Sequence, residues 1–368
     1  MGEGRNTRSG PIFPLPLGGE GGPQPASSSA GAGRVRGSFG LQNWRNQGRP
    51  LRPPLGDHNA GPYMRQQMKR LIVNADDFGL TDGVNQAIID AHQVGMLSST
   101  TLLANGEAFE AAVALARQAP RLGVGIHLNL TEGKPVAAAS LVPSLINSRG
   151  VFARKPVGLW RATLAGRVRA AEIERELHAQ MEKVLAARLV PTHLDSHKHV
   201  HALPAVGKMS LKLARQYGIR AIRCVAETWP ATGYLLGRFP RAQARILRQR
   251  LGSLALSALS RSWRRGLQQA DVACAEHFYG VTPTGFLDEG LLREILRHLP
   301  EGTSELMCHP GFVDQALRQT PTRLLEQREK EYQALTRPDT RLLANELGIE
   351  LINYGDIAND FHCRAVVQ

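Results

Sequence analysis

The chain of 368 residues has few cysteines and no long apolar run. Cys224, Cys274, Cys308 and Cys363 are its only thiols, and no two form a CxxC pair. That scarcity argues against a disulfide framework and a thiolate zinc site, and it fits a reduced, cytoplasmic setting. No stretch approaches the roughly 18 apolar residues that would span a bilayer. The first basic residues are not followed by the continuous apolar core of a signal peptide. No repeat of fixed period is present. Acidic residues are also in short supply: 45 Lys and Arg stand against 32 Asp and Glu, a net charge of +13. Such a balance favours anionic partners, either nucleic acid or an anionic membrane surface.

Residues 1–67 differ in character from the rest of the chain. Fourteen Gly and nine Pro make up about a third of them, and eight arginines face three acids. With no helical or strand period, the segment has too little apolar surface to offset its ordering entropy. The expectation is a disordered extension over 1–67, with Met68 as the native start and a domain over 68–360. A basic arm for RNA or membrane is the functional alternative.

From Lys69 the pattern is dense. Apolar β-branched runs at 71–75, 98–104, 124–130, 192–195, 221–225, 304–308 and 350–352 read as strands. Helical periods at 83–95, 109–118, 173–188, 204–217, 291–298, 323–336 and 341–347 separate them, the first capped by Thr81 or Asp82. Alternating strands and helices imply a parallel sheet, and this number of units suits an irregular, closed or nearly closed (β/α) barrel of the α/β class.

The chemically suggestive residues come just after predicted strands. Asp76 and Asp77 are adjacent carboxylates that resist joint burial without a cation or proton, although a helix-capping Asp beside a solvated neighbour would also account for them. His127 lies in the strand Gly125-Ile126-His127-Leu128, where a hydrogen-bonded core histidine is the plain alternative. In the run from His193 through Asp195, His197 and His199 to His201, an extended chain would place all five side chains on one face. Packing so many imidazoles together without a metal or a catalytic task is costly. His309, before Pro310 and Gly311, ends a further strand. Sites in such folds form at the C-terminal strand ends. One carboxylate and two imidazoles would make a mixed nitrogen and oxygen site for a hydrolytic divalent metal, leaving one carboxylate as general base and a separate histidine as general acid. Adjacent aspartates do not suggest the separated carboxylate pair of a glycosidase, and a phosphatase would want more converging cations.

The segments Asn74-Ala75-Asp76-Asp77-Phe78-Gly79, Ser99-Thr100-Thr101, Asn105-Gly106, Gly125-Ile126-His127-Leu128 and His193-Leu194-Asp195-Ser196-His197-Lys198-His199-Val200-His201 together resemble the YdjC-like carbohydrate deacetylases. The resemblance runs from Met68 to about residue 355. It implies an irregular barrel that removes an acetyl group from an N-acetylated amino sugar with a divalent cation, Mg²⁺ or Zn²⁺. Carried onto this chain, it implies Asp77, His127 and His197 as metal ligands, Asp76 as the base and His309 as the acid. His199, His201, Asn74 and Phe78 would line or orient the substrate site. The segments Asn129-Leu130-Thr131, Glu276-His277-Phe278-Tyr279-Gly280 and Thr284-Gly285-Phe286-Leu287 are similar to the hopanoid-biosynthesis-associated branch, which implies a sugar carried on a polycyclic lipid.

Residues 238–265 hold eight arginines and no acid, interleaved with Ile246, Leu247, Leu251, Leu254, Leu259 and Trp263. This reads either as an interfacial amphipathic helix giving peripheral contact at the inner membrane surface, or as a barrel helix or lid with a solvated basic face. Few stacking aromatics accompany the arginines, so no nucleic-acid partner is expected.

Overall fold

The computed structural model describes residues 68–228 and 232–367. The expected disordered extension over 1–67 lies outside them. Seven parallel strands form one curled sheet: β1 (Lys69–Phe78), β2 (Ser99–Leu102), β3 (Gly123–Leu128), β4 (Leu194–Ser196), β5 (His277–Tyr279), β6 (Gly302–Cys308) and β7 (Ile349–Leu351), in the order β4-β3-β2-β1-β6-β5. One side of β1 is shared. Its first residues, Lys69 to Leu71, pair with β7, and Asn74 onward pairs with β2. The strand is buried from Leu71 to its end because both faces are covered, which is why it reads as a continuous apolar run.

The two edges of the sheet are stitched together by the segment 220–228. Leu194 N–H of β4 donates to Ala221 O at 3.0 Å, and Arg223 N–H donates to Leu194 O at 2.9 Å. On the other side Ile222 N–H reaches Ala273 O at 2.9 Å and Thr228 N–H reaches Phe278 O of β5 at 3.1 Å. The α/β barrel is therefore irregular. The strand expected at 221–225 is instead a set of isolated bridges, because its backbone divides its partners between two neighbours.

Helices cover the outside as their periodicities require. In Asp82–Val94 the residues Val84, Ala87, Ile88 and Ala91 are buried, and Val84 N–H donates to the capping Thr81 hydroxyl at 3.3 Å. In Ala170–Ala186 the apolar stripe Ile173, Leu177, Met181 and Val184 is fully buried. The same helix buries Glu176, which accepts the N–H groups of Val136 and Ala137 at 2.9 Å each, and Gln180, which accepts Asn129 N–H at 2.9 Å. A loop rising from β3 is thereby fixed over the strand ends. The strand β5 and the helices Gln243–Gln269 and Tyr354–Val367 complete the fold. Among the described residues no helix is long and apolar enough to cross a membrane.

Candidate metal centre

The adjacent aspartates reach the barrel interior through a backbone irregularity. In a regular strand consecutive side chains point to opposite faces. Here the β1–β2 register shifts between Ala75 and Phe78, and Asp77 has φ of +71°. Aspartate tolerates this left-handed conformation better than most residues. Asp76 turns toward Arg223, while Asp77 turns toward two histidines and Arg328.

Asp77 Oδ1 lies 3.0 Å from His197 Nδ1 and 3.6 Å from His127 Nε2, and its Oδ2 accepts Arg328 Nη2 at 2.6 Å. One atom each from Asp77, His127 and His197 falls within a 4.8 Å group, a set able to hold a metal ion. The imidazoles are oriented from behind. His127 Nδ1 meets Asp195 Oδ1 at 2.6 Å, and the Thr101 hydroxyl donates to Asp195 Oδ2 at 3.1 Å. His197 Nε2 meets Glu132 Oε2 at 2.9 Å, and Lys198 pairs with the other Glu132 oxygen. A carboxylate behind each imidazole is the usual support of a metal-binding histidine.

The electrostatics fit a cation. Buried Asp76, Asp77, Asp195 and Glu305 outnumber the guanidiniums of Arg223 and Arg328. Burial opposes the charge on His197, yet the hydrogen bond and field of Asp77, joined by Glu132, raise its pKa to about 9. Burial likewise opposes protonation of His127, and Asp195, with Asp76 and Asp77, reverses it upward. Burial would raise Asp77, but Arg328 and then His197 hold it well below the usual carboxylate range. Protons on the imidazoles thus offset a carboxylate surplus that a divalent cation would neutralise in their place.

Arg223, fully buried, organises the neighbouring acids. Its Nη2 and Nη1 clamp Asp76 at 2.7 and 2.9 Å, its Nη1 also reaches Asp195 Oδ2 at 2.6 Å, and its Nε donates to Glu305 at 2.8 Å. Against the cost of burial, the Arg223 charge keeps Asp76 ionised far below the ordinary range. The other group of three, Asp76, His127 and Asp195, is thereby occupied by a guanidinium.

A family model described as YdjC-like protein matches residues 70–346. The chain belongs to the YdjC-like family. A carbohydrate deacetylase of Brevibacillus brevis is 36% identical over 288 residues, covering 78% of this chain and 99% of that one. A chitooligosaccharide deacetylase of Serratia marcescens is 33% identical over 293 residues, covering 78% and 99%. The crystal structure of a proposed cellobiose-phosphate cleavage protein from Enterococcus faecalis V583 superposes with a TM-score of 0.61 at 28% identity, covering 78% of this chain and 98% of that one.

The remaining expected site residues of this YdjC-like protein separate. His309 is largely shielded, its N–H donates to Glu331 at 2.5 Å, and burial, against the fields of Asp76 and Asp77, lowers its pKa to about 4. Asn74 is buried and donates to Asp76 Oδ1 at 3.1 Å, so it orients that carboxylate. Phe78 is not at the site's surface: it is fully buried in the apolar core. The histidine run does not share one face. The strand ends at Ser196, and residues His197–Ala202 wind into a 3₁₀ turn with Lys198 and His199 left-handed. His193 is a core residue stacked on Tyr354 at 3.7 Å, and it lies so close to β3 that a Cβ at Gly125 would sit 2.5 Å from its ring. His201 is buried with its Nδ1 at 2.6 Å from the Ser196 hydroxyl, and His199 packs beside it at 6.3 Å between ring centroids.

Four residues with no role assigned from sequence enter the site: Asp195, Glu132, Arg223 and Arg328. Glu132 comes directly after the Asn129-Leu130-Thr131 segment, and the loop carrying it is held by Asn105 and Asn129, which donate to Glu132 O at 3.0 and 2.9 Å. An arginine inside the apolar run Ala221-Ile222-Arg223-Cys224-Val225 was the available signal for Arg223.

Proposed function

We propose that this protein is a metal-dependent carbohydrate deacetylase that hydrolyses the acetamide of an N-acetylated amino sugar. The observation that carries this reading is the convergence of Asp77, His127 and His197 among buried groups with surplus carboxylate charge. The names of relatives at 33–36% identity, aligned over nearly their full lengths, support it.

Asp77, His127 and His197 would hold the ion, Mg²⁺ or Zn²⁺, with Asp195 and Glu132 fixing the two imidazoles. A bound divalent cation would polarise the acetyl carbonyl and make water more acidic. Asp76 receives the proton of the attacking water as the new C–O bond forms. Its partners favour the ionised form, so it is always available, and Oδ2 keeps acceptor capacity beyond its Arg223 bonds. The proton taken by Asp76 is then passed on, with His309, neutral at rest, as the relay, to the nitrogen as the C–N bond breaks; Asp76 is again ionised, and the free amine leaves with acetic acid, which ionises to acetate. His199 and His201 shape the wall beside His197.

The finer reading places the sugar on a hopanoid-type polycyclic lipid, which brings the enzyme into peripheral contact with the cytoplasmic face of a membrane. The similarity of the 276–280 and 284–287 segments to that branch supports it. A soluble chitooligosaccharide is the second reading, supported by the Serratia marcescens relative.

Acetate release decides among these, measured on acetylglucosaminyl hopanoid and on diacetylchitobiose, with chelator and after metal is returned. Release from the lipid-linked sugar that chelator abolishes and metal restores is expected. Release only from chitobiose would move the substrate to the second reading, and chelator-insensitive release would overturn the metal-dependent reading.

A further inference from the structure

The helix Gln243–Gln269 is inside out. The face it turns to the barrel carries Ser253, Ser257 and Ser260, with Ile246 and Leu267 toward the ends, all buried. Ser253 and Ser257 are there to bond Glu227, a buried carboxylate: Ser257 Oγ accepts Glu227 N–H at 3.0 Å, and the Ser253 hydroxyl donates to the Glu227 carboxylate. Leucine is on the other side. Leu247, Leu251 and Leu254, at i, i+4 and i+7, form one stripe with exposures of 49%, 68% and 47%. Large apolar side chains repeated along one outward stripe mark an interaction surface rather than scattered surface leucines.

The stripe is set in positive charge. Arg241, Arg248, Arg261 and Arg265 are exposed along or beside it, and none has an acidic partner among the described residues. No Asp or Glu occurs from Arg238 to Ala270. At the N-terminal end of the helix a cavity of about 540 Å³ opens among Arg241, Arg245, Phe239, Phe286 and Lys330, and the one acid in its lining, Asp288, is paired with Arg238. Arg245 lies over the Phe286 ring at 4.3 Å, and its buried Nε has no hydrogen-bond partner. Arg245 and Arg248 crowd Arg323, and the field of Glu331 offsets them only in part, a cluster that an anion would relieve.

We propose that this face, the Leu247–Leu251–Leu254 stripe with its flanking arginines and the cationic cavity at its end, docks onto an anionic lipid bilayer. Apolar side chains between cationic ones match an interface in which acyl chains lie beneath anionic headgroups. Charge decides against two other occupants from this chain itself. Residues 1–67 carry eight arginines against three acids, and a second copy would bring an equally basic face against this one. The inference deepens the lipid-linked reading proposed above by naming the docking face, and vesicle binding is read independently of acetate release.

Co-sedimentation of the full-length protein with phosphatidylcholine vesicles, alone or mixed equally with phosphatidylglycerol, tests it. Binding to the anionic vesicles only, weakened by salt, is expected. The triple variant Leu247→Ser, Leu251→Ser, Leu254→Ser should partition about ten-fold less or weaker still, with unchanged melting temperature and unchanged turnover of diacetylchitobiose. Arg241→Gln with Arg248→Gln should weaken binding to the anionic vesicles further and leave neutral vesicles unaffected. Absence of vesicle binding, or binding that the triple leucine variant leaves intact, overturns the proposal. So does light scattering that shows a dimer abolished by the leucine changes in protein that ignores vesicles, because the face would then be covered by a second copy.

Discussion

Around Arg223 charge is buried, and along the helix Gln243–Gln269 leucine is exposed. Each region reverses the ordinary distribution of residues between inside and outside, and they do so by different physical means. In the barrel the buried charges are mutually satisfied. Arg223 serves Asp76, Asp195 and Glu305 together, so removing it leaves buried acids short of a charge partner where water cannot reach them. On the helix the outward leucines are only about half covered or less by the molecule itself, so their removal takes away little internal contact. The barrel network is therefore bound up with both folding and chemistry, whereas the leucine stripe is separable from both.

Substitutions sharpen that contrast. Asp76→Asn keeps the shape and one acceptor for Arg223 but removes the charge and the proton acceptor, so acetate release should fall by about 10²–10⁴-fold while bound metal stays stoichiometric; near-normal turnover would remove Asp76 from the base role. Arg223→Leu takes the guanidinium from three buried acids, leaving Asp76 with its Asn74 hydrogen bond, and should cost about 3–5 kcal/mol of stability by urea denaturation; a stable variant would contradict the mutual-satisfaction account. Glu132→Gln loosens His197 without touching the ion and should weaken metal affinity by about 10–100-fold, measured by competition with a chromogenic chelator. On the helix, Ser257→Leu forces bulk against Glu227 and should cost about 1–3 kcal/mol, whereas Leu251→Ser should stay within about 0.5 kcal/mol of the parent. The last two values in reverse order would mean that the outer face is the structural one.

Much of the fold is legible in the sequence, since β1 and the helices Asp82–Val94 and Phe109–Gln118 follow from apolar periodicity and a threonine cap. The residues of the candidate metal centre are legible as types, but their arrangement is not. Nothing in local propensity places Asp77, Lys198 and His199 in left-handed conformations, and those dihedrals decide which side chains of Asp76-Asp77 and of the histidine run face the interior. Arg223 and Arg328 hide among 45 basic residues, and only tertiary pairing with Asp76 and Asp77 distinguishes them. The long helix resists a periodicity reading because serines bonded to Glu227 occupy the face where apolar residues would be sought.

The most direct measurement is the metal content of the purified protein and of Asp77→Ala, His127→Ala and His197→Ala, by mass spectrometry after equilibration with Zn²⁺ or Mg²⁺ and removal of free ion. One equivalent in the parent and a large loss in each variant is the predicted result. Full occupancy in all three variants, or no binding by the parent, would contradict the proposed centre.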